Sequence, residues 1–140
     1  MATLKTNTLT GTSTAGSIAG TGEGNSTTTN LQQGLCKAWV NFDGGAVDSG
    51  TDLDGVRDSF NVGSLIDVAT GRHYANYTNA MANINYAAMV MSGDVSDNTS
   101  GRDEEIMQLT TALVKVRIMH QDESDRDEGY VGITVHGDLA

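Results

Sequence analysis

Three stretches of the chain alternate apolar and polar residues with a period of two, and this constrains the fold more than any other feature. In Cys36-Lys37-Ala38-Trp39-Val40-Asn41-Phe42, one side carries Cys36, Ala38, Val40 and Phe42, and the other carries Lys37, Trp39 and Asn41. Val114, Val116 and Ile118 alternate with Lys115 and Arg117, and Val131, Ile133 and Val135 with Gly132 and Thr134. Side chains of an extended strand point to opposite faces in turn, so each stretch reads as a strand buried on one face only. A helix would scatter the same residues around its circumference.

Weaker patterns fill the remainder. Val56 to Val62 reads as a strand with Val56, Phe60 and Val62 on one side, continued by Ser64 to Val68. His73 to Thr78 follows the turn Thr70-Gly71, and Tyr86 to Met91 ends at Ser92-Gly93-Asp94. Leu109 to His120 reads as one long strand and Tyr130 to His136 as the last, with residues 79–85 a loop and Asp103 to Leu109 a single helical turn at most. With 17 glycines and no proline, turns fall to glycine. Short strands between Gly-based turns predict an all-β fold, a β-sandwich or jelly-roll-like domain over residues 35–140.

Residues 1–34 differ in kind. They are rich in Thr, Ser, Gly and Asn, with Lys5 and Glu23 their only charged side chains, and nothing recurs at helical spacing. Threonine favours strands, so an extended arm is expected, ordered by adding to a neighbour's sheet edge through Leu4, Thr6, Thr8 and Thr10.

Charge narrows the function classes. The net charge of −10 opposes binding to nucleic acid, which needs a basic patch to neutralise phosphates, and no apolar stretch approaches the length of a membrane span. The start, Met1 to Thr6, lacks the apolar run of a signal peptide, so the chain reads as made in the cytosol and unexported. The glycosylation patterns at Asn25, Asn76 and Asn98 then read as accidental.

No motif carries chemistry. Asp48, Asp52 and Asp54 precede Gly55, but the EF-hand template lacks its first ligand and its closing Glu, and Asp122 to Glu128 reads as another solvated acidic turn. His73, His120 and His136 are far apart in sequence, although His120 and His136 end strands that could be neighbours. Cys36 sits within an apolar alternation and reads as a buried thiol. No nucleophile elbow exists, and Gly16 to Gly24 neither follows a buried strand nor opens a helix. No catalytic residue, metal or cofactor is therefore expected. Trp39, Tyr74, Tyr77 and Tyr86 could form a carbohydrate platform or pack at a subunit boundary.

Lys37-Ala38-Trp39-Val40-Asn41-Phe42-Asp43-Gly44 resembles the opening of a β-rich structural domain in virion proteins of marine phages, such as cyanophages and pelagiphages. The resemblance continues through Arg57 to Val62, Tyr77 to Ala82, Asn85-Tyr86, Val116 to Ile118 and Tyr130-Val131, and ends at Gly137-Asp138-Leu139. It implies a non-enzymatic structural role in the virion, often as a trimer. Relatives of that kind often close long tail-fibre chains, whereas a stand-alone chain of this length suits a capsid decoration or cement subunit. The expected partners are further copies in a homotrimer and the major capsid protein or other virion proteins. The alternative is a short tail-fibre or receptor-binding module contacting host glycan. Lys37, Trp39, Asn41 and Tyr130, with the arm, are the expected interface.

Overall fold

In the computed structural model, which describes residues 18–21, 28–50, 53–94 and 101–140 with Thr6, Thr8 and Thr10, each of the three alternating stretches is a strand with its apolar side buried. They are β3 (Cys36–Phe42), β9 (Leu113–His120) and β10 (Tyr130–His136). The others of this unit are β4 (Val56–Phe60), β5 (Val62–Ala69), β6 (Arg72–Tyr77), β7 (Ala87–Gly93) and β8 (Arg102–Leu109). They form two four-stranded antiparallel sheets, ordered β4-β3-β10-β7 and β5-β6-β9-β8. The fold is an all-β sandwich. Ala38, Val40, Phe42, Val131, Ile133 and Val135 from the first sheet meet Leu65, Ala75, Val114, Val116 and Ile118 from the second, all at most 2 % exposed.

The chain divides into two compact units, Met1–Leu35 and Cys36–Ala140. The first contains β1 (Ala19–Thr21) and β2 (Thr28–Asn30), paired antiparallel, and a single helical turn, α1 (Leu31–Gly34). Its described part is thus a small hairpin rather than extended throughout. Thr6, Thr8 and Thr10 are exposed, and the Thr6 hydroxyl donates to the Thr8 carbonyl. Leu4 lies outside the described residues.

Three expectations need correction. Leu109 to His120 is not one strand: Thr110 turns the chain, its hydroxyl accepting from the Ala112 and Leu113 amides. Asp103 to Leu109 is accordingly no helical turn but most of β8, paired along β9. Its acidic side chains face solvent, so burial periodicity is faint and cross-strand pairing decides. The stretch Val56 to Val62 is also two strands, in different sheets. Arg57 is the extra residue of a bulge against β3, which turns Val56 to the core and leaves Phe60 on the outer face, 51 % exposed.

Asn61 makes the crossing from β4 to β5. It adopts φ 57°, a left-handed conformation that Asn tolerates better than most residues. Its side chain locks the corner. Nδ2 donates to the Lys37 and Asn79 carbonyls at 3.0 Å each, and Oδ1 accepts from the Asn79 amide at 2.7 Å. At the same end of the sandwich, the loop after β6 fastens the turn between β8 and β9 to the C-terminus. Met81 donates its amide to Thr111 and bridges Leu139, and the Tyr86 hydroxyl donates to Thr110.

Asn61→Ala is expected to cost about 2–4 kcal/mol, from several lost hydrogen bonds and a strained φ. Asn61→Gly should cost less, because glycine accepts that φ freely. Urea unfolding of both variants checks this; equal losses would contradict the backbone contribution.

Candidate interaction face and buried charge cluster

The outer face of the β4-β3-β10-β7 sheet is built by the same alternation that fills the core. Register places Phe60, Trp39, Thr134 and Met89 opposite one another in a row across the four strands. The next row is Asp58, Asn41, Gly132 and Met91. Met89 and Met91 are 66 % and 65 % exposed. Tyr130, opposite Gly93, is 46 % exposed and carries the Arg57 guanidinium over its ring, 4.4 Å from the centroid. Asn41, Met91, Ser92, Gly93, Tyr130 and Gly132 line a shallow depression on this face. Gly132 makes the hollow by presenting no side chain between Asn41 and Met91.

Of the sequence-derived interface residues, Trp39, Asn41 and Tyr130 share this face; Lys37 is the extra residue of a bulge in β3 against β10 and is only 6 % exposed, so it offers little surface to a partner. Sequence reasoning missed Phe60, Met89 and Met91. Phe60 was assigned to the core, and the two methionines of Ala87–Gly93 were read as strand residues without a face. The proposed aromatic platform does not assemble. Tyr74 lies under Lys115 on the other sheet, while Tyr77 and Tyr86 bond hydroxyl to hydroxyl at 3.2 Å. Burial pushes both of those phenols above the ordinary tyrosine range.

The outer face of the second sheet is charged instead. Arg72 and Arg117 stand opposite each other on β6 and β9, with Asp125 bonded to both. The hydrogen bond from Arg117 is the main cause of the lowered Asp125 pKa. Asp125 belongs to residues 122–128, expected as a solvated turn. The expectation holds for Asp122, Glu123 and Ser124, which are exposed, and fails for Asp125, Asp127 and Glu128, where the segment folds back along β9 into the end of the sandwich. Arg126 donates its amide to Ile118, and Asp127 accepts from the Gly71 amide at 2.7 Å.

Glu128 is 1 % exposed. Its Oε1 lies 3.2 Å from Arg102 Nε, 3.4 Å from Arg126 Nε and 3.6 Å from His120 Nε2. A buried carboxylate needs such compensation, since removing it from water unpaired costs several kcal/mol. His73 is buried completely, edge-on to Phe42, with Asp127 at 3.6 Å. Among the described residues neither ring nitrogen has a hydrogen-bond partner. Gly44 covers it: a Cβ there would lie 2.9 Å from the Glu128 carbonyl oxygen and 3.2 Å from His73 Nε2. His136 ends β10 beside Ala87, at the opposite end of the sandwich from His120, so these two histidines do not meet.

Residues 122–128 thus act as a clamp joining β9 of one sheet to β10 of the other. Compared with protein-family models, curated proteins and solved structures, the chain matches none.

Burial lowers the His73 pKa, and the Asp127 and Asp67 charges only partly oppose this. Above the ordinary value of 6.5 both folded and unfolded states hold the ring neutral. Below it the unfolded chain takes up the proton first, so stability falls as pH drops, by at most about 1.4 kcal/mol per pH unit for this one group. Denaturant midpoints measured between neutral and mildly acidic pH should fall less steeply in His73→Phe than in the parent.

Proposed function

We propose that this chain is a non-enzymatic structural subunit of a phage particle, a capsid decoration or cement protein that docks onto the shell through the outer face of the β4-β3-β10-β7 sheet. The observation carrying the docking part is the set of exposed side chains Phe60, Met89, Met91 and Tyr130 around the half-buried Trp39, on a protein of net charge −10. Scattered apolar residues are normal on a surface, but a contiguous aromatic and methionine patch on a sheet marks an interaction site. Aromatic residues and methionine are also the types enriched at interfaces. The virion setting rests on the ordered sequence resemblance from Lys37 to Leu139.

A second reading has one observation in its favour. Tyr130 sits beside Asn41 and Ser92 around the shallow depression. An aromatic ring next to the Asn41 side-chain amide suits a sugar, as a tail receptor-binding module would require.

Binding of the purified protein to isolated phage heads lacking it, compared with binding to host cells, separates the two. Saturable binding to heads supports the decoration role; binding to cells alone supports the receptor role. Phe60→Glu with Met91→Glu should weaken head binding about tenfold or more while leaving the melting temperature nearly unchanged, because both side chains already face solvent. Undiminished binding by the double variant would place the contact elsewhere.

A further inference from the structure

The sandwich has four edge strands, β4, β7, β5 and β8, and three of them are protected. β4 carries Arg57 and Asp58 and is bulged at Arg57. β5 carries Asp67, is interrupted twice in its register, and gives its Asp67 amide to the Asp48 carbonyl. β8 carries Arg102, Asp103, Glu104 and Glu105 and is bulged near Met107. Charges, bulges and covering loops are the usual means of stopping an edge from recruiting another strand.

Among the described residues β7 has no charge and no bulge of its own, and its outward side is met only at Ser92, by Glu104 of β8. Its sequence, Ala-Ala-Met-Val-Met-Ser-Gly, contains no charge, and its seven pairs with β10 run without a register shift. Its free side can be identified. The Ser92 amide donates to Glu104 Oε1 at 2.8 Å, away from β10, so by alternation the N–H and C=O groups of Ala88 and Val90 also face outward. Among the described residues, Glu104 at Ser92 is the one partner along that side.

We infer that β7 is a self-association edge, which pairs antiparallel with β7 of a second copy across a two-fold axis beside Val90. The second copy is favoured over other occupants by charge and by elimination. Two chains of net charge −10 repel except along an uncharged strip, and β7 with Met89 and Met91 is such a strip. Pairing β7 with any other edge of a copy's sandwich would meet the charges and bulges just described, and β1 and β2 are only three residues long, so β7 against itself gives the longest uncharged pairing. In that register Val90 exchanges two hydrogen bonds with its own copy and Ala88 pairs with Ser92 of the other chain, whose amide leaves Glu104. The result is a closed two-fold dimer with one continuous eight-stranded sheet. This inference does not need the virion setting, and it differs from the three-fold association expected from the resemblance.

Light scattering on the purified chain should give twice 14.7 kDa; a monomer at all concentrations, or a mass of three chains, overturns the proposal. Val90→Pro removes an outward N–H and no bond to β10, and should give a folded monomer by circular dichroism; a folded dimer would refute edge pairing. Should that variant not fold, Met89→Cys with Met91→Cys decides. Residues 89 and 91 of opposite chains form non-hydrogen-bonded pairs about 4.5 Å apart at Cα, within disulfide range, so oxidation should link the two chains. A dimer that fails to cross-link would mean that another segment, such as the neighbour's Thr-rich arm, occupies the edge instead.

Discussion

One constraint governs this molecule: each sheet can bury only one face, and both buried faces must be filled from a chain that is 38 % hydrophobic. Three triads, Ala38-Val40-Phe42, Val114-Val116-Ile118 and Val131-Ile133-Val135, supply most of the filling. Each fully buried aliphatic or aromatic side chain contributes about 1.5–3 kcal/mol. Most of these positions are β-branched, so they lose little side-chain freedom in extended backbone. Because β3 and β10 are central in their sheet and β9 is central in its own, the strongest triads stand where two neighbours flank them. Of the weaker patterns, all but β6 fall on the edges.

A core this thin leaves the ends of the sandwich to polar locks. One end is held by Asn61, whose amide joins β3 to the loop after β6, and by the Tyr77–Tyr86 hydroxyl pair. The other is held by residues 122–128, where Glu128 gathers Arg102, Arg126 and His120, while Asp127 holds Gly71 and approaches His73. Each group in such a network is costly to bury alone, so the locks specify one connection between the sheets more than they add net stability. The close fit of Gly44 over His73 and Glu128 follows from this, since any larger residue would push the clamp away.

The central strands were legible because burial imposes a period of two on them, and the boundaries of Cys36–Phe42 and Tyr130–His136 read directly from the alternation. The edges were not, because solvent exposes both faces of residues such as Asp103 and Glu105 and erases the pattern. The bulge at Arg57 shifted Phe60 from the expected core to the surface, and no composition signal marks a single inserted residue. Lys37, Trp39, Asn41 and Tyr130 could be placed on one side by parity. Met89 and Met91 could not, since in Ala87–Gly93 the inward residues Ala88 and Val90 are no more apolar than the outward ones. The burial of Glu128 was illegible for a different reason: seven mostly charged residues look solvated unless the fold brings cations to them from β8 and from Arg126 itself.

The two outer faces then divide the work that charge makes possible. The second sheet carries Arg72 and Arg117 paired with Asp125, and Lys115 over the Tyr74 ring, so it gains nothing from shedding water against another surface. Desolvating such pairs would cost more than their attraction returns. The first sheet presents methionines, Trp39, Phe60 and Tyr130, which gain by leaving water, and its β7 is the one edge strand of the sandwich without a charge. In the proposed association, repulsion between acidic copies steers contact away from the charged sheet. Under that proposal charge selects where copies would meet, and the uncharged face and edge would supply the affinity.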